Sequence, residues 1–455
     1  MRTALIQGTP ANFWSRVPGI EIPARVLQAL VASPSVLFLT ALGMMLFRPP
    51  DLHLYEMDRI ALGVLIYFVL LRALLLKQRL QFAGSVQWPL LAIVVWSLFR
   101  LVSQPYSSQS WSVFAAKWLV PLLLFHLAGV VFKDESSLRR FEIFSWGALT
   151  YLCLIAVFFL FRWKALIFPR FILDQNIGIH ADRARGPFLQ AVANGMALSL
   201  LGLLALDSFR RHKLPKPVGT ALFVLLPLAI LATKTRAVWL AAAVSIVLLA
   251  FTSQNNRIRR VCLCAILVAT AGFSFVFLTM HGWRTFSERF EESSPVEFRM
   301  ALYRAGWDMI QERPMLGWNA SEIQSQLEQR IDDFHQEAFY FHNTFLEVTV
   351  AYGLVGLGLY VWLIVDLLML ARRPFPERLY AASRGFLDAG FRSLWPMMLF
   401  VYVLNSCFVV MNYQFVNGFL FTLAGMMAAQ DRRLCQYLNN PIPAITHAHW
   451  TTVRL

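Results

Sequence analysis

Long, uninterrupted apolar runs dominate this chain, and short polar gaps divide them. A membrane-crossing helix needs about 20 mostly apolar residues, with a working window of roughly 17–25. Runs of that length fall near 27–47, 60–76, 86–103, 111–132, 141–161, 187–206, 217–233, 236–252, 261–280, 343–370, 393–411 and 413–430. Their apolar positions are continuous rather than alternating, which excludes the strand pattern of an outer-membrane barrel. The pattern predicts an all-α, polytopic membrane protein with about twelve transmembrane helices. Two turns are tight. Thr233-Lys234-Thr235-Arg236 separates the seventh and eighth runs, and Met411-Asn412-Tyr413 separates the last two.

Two gaps are long, 162–186 and 281–341. In the second, Ser294-Pro295-Val296-Glu297 offers a serine N-cap, a proline at the first helical position and a glutamate at the third. It predicts a helix to Glu312, stopped before Pro314 and Gly317. Asn319-Ala320-Ser321-Glu322 repeats the capping pattern and predicts a second helix. The expected organisation is spans one to nine over 1–280, a small helical excursion over 281–341, spans ten to twelve over 342–430, and a tail over 431–455.

Composition agrees with lipid burial. Only 15% of the 455 residues are charged and 58% are hydrophobic, whereas a soluble domain carries about 25% charged residues. The net charge of +15 is unevenly placed. Basic residues gather in alternate gaps: Arg72, Lys77 and Arg79; Lys133, Arg139 and Arg140; Arg210, Arg211, Lys213 and Lys216; Arg257, Arg259 and Arg260; Arg372, Arg373, Arg378, Arg384 and Arg392. Arg2, Arg16 and Arg25 join them at the start, and Arg432 and Arg433 at the end. The positive-inside rule makes this set cytoplasmic, with both termini inside and 281–341 on the outer, periplasmic face of a bacterial inner membrane. The charge is thereby read as a topology signal, and no nucleic-acid partner is expected.

Other classes drop out. The start of the chain is polar to Arg25, and no small-residue cleavage site follows the first apolar run, so no cleaved signal is expected. Cys153, Cys262, Cys264, Cys407 and Cys435 lie in apolar runs or the tail, so no disulfide is expected. His281, His335 and His342 lack metal-ligand spacing, and neither a P-loop nor a dinucleotide glycine pattern occurs. No metal or cofactor is expected.

Basic residues on the outer face run against the topology bias and call for a reason. Arg183 and Arg185 precede the sixth span, Lys234 and Arg236 fill a hairpin tip, and Arg299 sits in the first outer helix with no carboxylate three or four residues on. Snorkelling or ion pairing would account for such arginines equally well. Arg304 has Asp308 at i+4 and is assigned to such a pair. His342-Asn343, preceded by Tyr340, opens the tenth span. Nearby arginines would lower the imidazole pKa and keep His342 neutral, able to accept a proton. Gly353, Gly356 and Gly358 follow, with close helix packing as their expected role. Lys117 and Arg100 are the mid-span charges.

His342-Asn343-Thr344-Phe345-Leu346-Glu347, with Gly353 and Gly356 beyond, resembles the signature of the O-antigen ligase and polymerase superfamily. Arg299 with Pro314 and Gly317 resembles its Arg-x14-Pro-x2-Gly outer-loop block. Thr235-Arg236-Ala237 resembles its Ser-Arg-Gly/Ala hairpin tip, with threonine for serine, and Arg185-Gly186-Pro187-Phe188 with Asn194 resembles its Arg-Gly-x-Phe stretch. The resemblance implies a GT-C-like fold and a lipopolysaccharide O-antigen ligase. Such an enzyme moves a glycan from undecaprenyl diphosphate to a hydroxyl of lipid A–core oligosaccharide, in membrane lipid. It implies His342 as general base, with Arg185, Arg236 and Arg299 on the pyrophosphate. Asn343, Lys234, Arg183 and Tyr340 would contact substrate, and Gly353, Gly356, Pro314 and Gly317 would be structural. An O-antigen polymerase, a protein O-oligosaccharyltransferase and a lipid-linked glycan transporter stay open as alternatives.

Overall fold

The computed structural model describes residues 33–47, 56–75, 77, 84–253, 255–279, 294–331, 340–372, 376, 379–380 and 386–439. Each predicted apolar run carries a helix within these residues. They are α1 Pro34–Leu46, α2 Met57–Leu75, α3 Gln87–Val102, α4 Ser108–Val131, α5 Glu135–Leu160, α6 Ala191–Arg210, α7 Lys216–Ala232, α8 Arg236–Thr252 and α9 Asn256–Thr279. The outer helices α10 Ser294–Glu312 and α11 Ala320–Arg330 follow, then α12 Thr344–Arg372, α13 Ala389–Ser406 and α14 Gln414–Asn439. No strand occurs among the described residues. Five helices there are long and apolar enough to cross a membrane: Ser108–Val131, Glu135–Leu160, Ala191–Arg210, Asn256–Phe275 and Thr344–Arg372. α1, α3, α7 and α8 are apolar but shorter. The protein is an all-helical, multi-pass membrane protein. Positions 1–32, 281–293, 332–339 and 440–455, with His281, His335, Arg284 and Arg289, lie outside the described residues.

Local chemistry explains where helix ends depart from the apolar runs. α5 starts at Glu135, ahead of its run, because the Asp134 carboxylate accepts the Ser137 N–H at 3.3 Å and caps the helix. α6 starts late, at Ala191. Gly186–Phe188 turns as a short 3-10 segment, and Leu189 takes a left-handed φ of 54° before the helix begins. α4 widens into a π segment at Ala115–Leu119. There Lys117, 4% exposed, pairs with Glu347 of α12. The mid-span charge found in the sequence is thus neutralised by a partner on another helix, which is how a buried cation is retained in an apolar interior.

Small residues set the tightest packing. A Cβ at Gly425 would lie 2.0 Å from the Phe125 carbonyl oxygen, so α14 and α4 approach backbone to backbone. The basic gaps meet at one end of the bundle. Arg211 binds Asp207 at 2.8 Å and also Glu142, Arg210 bridges Asp207 and Asp388 at 2.6 Å each, and Arg392 pairs with Asp431. These pairs tie α5, α6, α13 and α14 together. α10 and α11 share a smaller core of their own, built from Phe298, Leu302, Met309, Trp318 and Leu327.

Candidate active site

The predicted motif blocks 299–317 and 342–356 turn out to be two halves of one joint. α12 breaks at Gly353, whose φ of 69° and ψ of −173° are non-helical. The broken turn frees backbone groups, and the outer segment takes them up. Leu354 N–H donates to the Pro314 carbonyl at 2.7 Å, and Trp318 N–H donates to the Val350 carbonyl at 2.7 Å. Only glycine fits on either side. A Cβ at Gly353 would lie 2.0 Å from the Met315 oxygen, and one at Gly317 would lie 2.5 Å from the Val350 oxygen. Gly353 was expected to serve helix packing; it instead breaks its helix to hold the outer helices. Gly356 sits under the same kink, where a Cβ would meet the Tyr352 Cβ at 2.3 Å. α3 reinforces the joint. Arg100 donates to the Gly317 carbonyl at 3.3 Å and to Asn319 Oδ1 at 3.1 Å, and Trp96 donates to the Tyr352 carbonyl at 3.1 Å. Through these contacts α10, which carries Arg299, is fixed relative to α12, which follows His342.

The joint places Arg299 over a cavity of 1260 Å3. Arg183, Lys234, Arg236, Arg299, Tyr340 and His342 all line it, and no carboxylate among the described residues does. Six residues from four distant stretches of the sequence therefore converge. Arg236 is the first residue of α8, so its guanidinium stands beside a helix N-terminus, whose partial positive charge also favours an anion. The hairpin tip is held by Ala184 N–H donating to the Ala232 carbonyl at 3.0 Å and by Lys234 Nζ donating to the Asp182 carbonyl at 3.2 Å. Apolar side chains line the cavity too, among them Phe188, Leu189, Val192, Leu240, Val409 and Val410. The chamber combines cationic and apolar surface, and it would suit an amphiphile with an anionic head.

Three expectations need correction. Arg185 does not reach the cavity. It is fully buried, and its guanidinium donates to the carbonyls of Ile172 at 3.0 Å, Ile177 at 2.6 Å and Asp174. It organises the 162–190 loop from within, because three convergent carbonyls satisfy its planar donors better than a solvent-facing anion could. Its loop still shapes the site, since Gly178, Ile179 and His180 form part of the cavity wall. Asn343, expected to touch substrate, caps α12: its Oδ1 accepts the N–H groups of Phe345 at 2.9 Å and Leu346 at 3.2 Å. Arg304 and Asp308 make no ion pair. Arg313, by contrast, is structural; it stacks 3.9 Å from the Trp318 ring and binds Glu322 at 2.8 Å.

The backbone is unusual around this cavity. His180, Leu189, Lys234 and His342 all line it and all have φ near +50°. Side chains with a Cβ rarely adopt this region, at a cost on the order of 1–2 kcal/mol each, and such outliers gather at functional sites. The His342 imidazole is held below its usual pKa by burial first, then by Arg299 and by His180. Neutral imidazole is the form that can accept a proton. His180 and the 408–413 wall were not found in the sequence. His180 stood in a loop with no motif, and 408–413 looked like a bare hairpin. Thr344 attaches that wall to α12, donating to the Val409 carbonyl at 2.7 Å and accepting the Met411 N–H at 3.0 Å.

Residues 221–361 match the family model described as O-antigen ligase. That segment, less than half of the chain, is similar to the O-antigen ligase family. No curated protein matches the chain. The matched segment runs from within α7 to within α12. It supplies Lys234, Arg236, Arg299, Tyr340 and His342, together with both halves of the Gly317–Gly353 joint. The rest of the cavity wall, 178–192 and 408–413, comes from outside the matched segment. The matched segment is thus completed by loops on either side of it.

Proposed function

We propose that the cavity binds a glycan carried on undecaprenyl diphosphate and transfers it to a hydroxyl of lipid A–core oligosaccharide. The observation that carries the reading is the convergence of His342 with four cationic side chains in one chamber that no described carboxylate lines. Arg183, Lys234, Arg236 and Arg299 hold the diphosphate, and the apolar wall covers the start of the polyprenyl chain. His342 takes the proton from the acceptor hydroxyl as its oxygen attacks the anomeric carbon. The bond from that carbon to the phosphate oxygen breaks, and the diphosphate leaves with the electron pair. Cations placed where that charge develops contribute the largest stabilisation, and the departing anion in turn stabilises the imidazolium. A single displacement of this kind inverts the anomeric centre. A retaining route would need a carboxylate nucleophile about 5 Å from a second catalytic carboxyl, and the described residues of the cavity offer neither. Hard divalent ions favour oxygen ligands, chiefly carboxylates, and no described carboxylate lines the cavity; the proposed reaction needs no metal. Arg185 and Asn343 act as positioning residues.

In this reading the chain crosses the inner membrane about twelve times, as the apolar runs suggest, with both termini in the cytoplasm and the cavity on the periplasmic face. The test is transfer of labelled lipid-linked glycan onto purified lipid A–core by the detergent-solubilised protein. Transfer by the wild type, lost in His342→Ala, is the expected result. Elongation of the lipid-linked glycan without lipid A–core would assign the polymerase reaction instead. Absence of any transfer by a folded wild type would overturn the reading.

A further inference from the structure

The outer end of α12 stands beyond a break. Gly353 interrupts the helix, so the stub at 344–352 takes its direction from whatever holds it rather than from the span below. His342 precedes this stub, and the joint to α10 closes it. Its direction therefore sets where His342 and Arg299 stand. Three fasteners act on it. Thr344 binds the Val409 carbonyl and the Met411 N–H. The Val350 carbonyl accepts the Trp318 N–H. Between them, Glu347 pairs with Lys117 of α4. Thr344 and Glu347, three residues apart, share a face of the helix. The Lys117 side is fixed in turn. It sits in the π segment Ala115–Leu119, where an extra residue in the turn re-aims the side chains. Asn417 of α14 donates to the Ala116 carbonyl at 3.4 Å and to the Met411 carbonyl at 3.0 Å, which ties the π segment to the cavity wall. Trp118, next to Lys117, packs edge-on against Tyr352 at 6.5 Å, beside the break.

Stability does not account for the pair. The Lys117 side chain is 3% exposed and that of Glu347 is 21% exposed. Taking both charges out of water costs about what their attraction returns, and apolar replacements of such a pair are often as stable. What a buried pair adds is geometry: one cation accepts one partner in one place, whereas apolar contacts tolerate several packings. We infer that Glu347, held by Lys117, is a positioning residue. The pair fixes the rotation of the 344–352 stub, and so sets His342 and Arg299 against Lys234 and Arg236, which stand on the α7–α8 hairpin tip. The catalytic consequence rests on the glycan-transfer reading; the mechanical role of the pair does not.

The experiment compares the full-length wild type in detergent with Lys117→Met/Glu347→Leu, which leaves no charge in the bilayer, and with Lys117→Arg, which keeps the pair. The thermal midpoint of the apolar double variant should stay close to that of the wild type. Hydrogen–deuterium exchange over 344–352 and 314–318 should nevertheless rise in it. In labelled-glycan transfer its kcat should fall by on the order of 10²-fold, the cost of a small misplacement of reacting groups. KM should change little, because Arg183, Lys234 and Arg236 stand on other elements. Lys117→Arg should keep most of the rate. A purely stabilising pair would lower the midpoint together with the rate, so a preserved midpoint separates the two roles. If the apolar variant does not fold, Lys117→Gln/Glu347→Gln is read in its place by the same measurements. Unchanged exchange in a folded variant overturns the inference, whether or not the wild type transfers glycan. Raised exchange with an unchanged kcat overturns its catalytic part. A wild type that transfers nothing overturns the transfer reading instead, and exchange alone then decides the role of the pair.

Discussion

Replacing Gly353 by alanine tests whether the break in α12 holds the catalytic groups together. The new methyl would meet the Met315 oxygen at 2.0 Å, its carbon at 2.3 Å and the Leu316 nitrogen at 2.7 Å, all backbone atoms with no rotamer to yield. The φ of 69° with ψ of −173° is a region open essentially to glycine alone. Alanine must therefore either stay strained or push the outer segment away and lose the hydrogen bonds from Leu354 to Pro314 and from Trp318 to Val350. With strain of about 1–3 kcal/mol and about 0.5–1.5 kcal/mol for each bond, Gly353→Ala should cost about 2–6 kcal/mol. Gly358, five residues along the same helix, is the control. Nothing lies within 4 Å of its hypothetical Cβ, so Gly358→Ala should be neutral or slightly stabilising. Thermal unfolding in detergent measures both, and labelled-glycan transfer reads the consequence: kcat should fall in Gly353→Ala as Arg299 loses its place over His342. Stability and transfer equal to the Gly358→Ala variant would show that the joint does not position the site.

Further outcomes follow from the same geometry. A base must be unprotonated, so activity falls as pH drops through the His342 pKa. That value is held below the usual imidazole value of about 6.5, so the acidic limb of kcat/KM should lie below it and move upward in Arg299→Gln, which removes one lowering charge. His342→Ala should cost about 10² to 10⁴ in rate with little loss of stability, read by transfer and unfolding together. Arg236→Lys should keep part of the transfer rate and Arg236→Ala lose most of it, because lysine returns the charge without the paired donors; equal rates for the two variants would remove Arg236 from the site. Arg185 behaves differently: Arg185→Lys should destabilise the protein by on the order of 4 kcal/mol, since one ammonium cannot reproduce the planar fork that serves all three carbonyls. Ser325→Cys, on α11, should react with an impermeant thiol reagent from outside once the native cysteines are removed, and labelling only from inside would reverse the topology.

Among the described residues each apolar run carries a helix, though some ends differ by six to nine residues, as at Glu135 and Asn439; a membrane helix satisfies its own backbone and writes its presence into the sequence. Charge placement grouped the basic gaps, and the pairs from Arg210, Arg211 and Arg392 do lie at one end of the bundle. Residue type also flagged Arg183, Lys234, Arg236, Arg299, Tyr340 and His342, since outer-face cations need a reason to be there. What the sequence could not say is which of its arginines look inward. Arg185 and Arg236 read alike as motif arginines, yet one is spent on three carbonyls and the other lines the cavity. Gly353 read as a packing glycine because a backbone break is a property of φ and ψ, and its partners at Pro314 and Trp318 lie over thirty residues away. His180 and 408–413 carried no local signal at all. Side-chain direction and long-range hydrogen bonds depend on how helices distant in sequence come to rest against one another, and only the tertiary structure decides that.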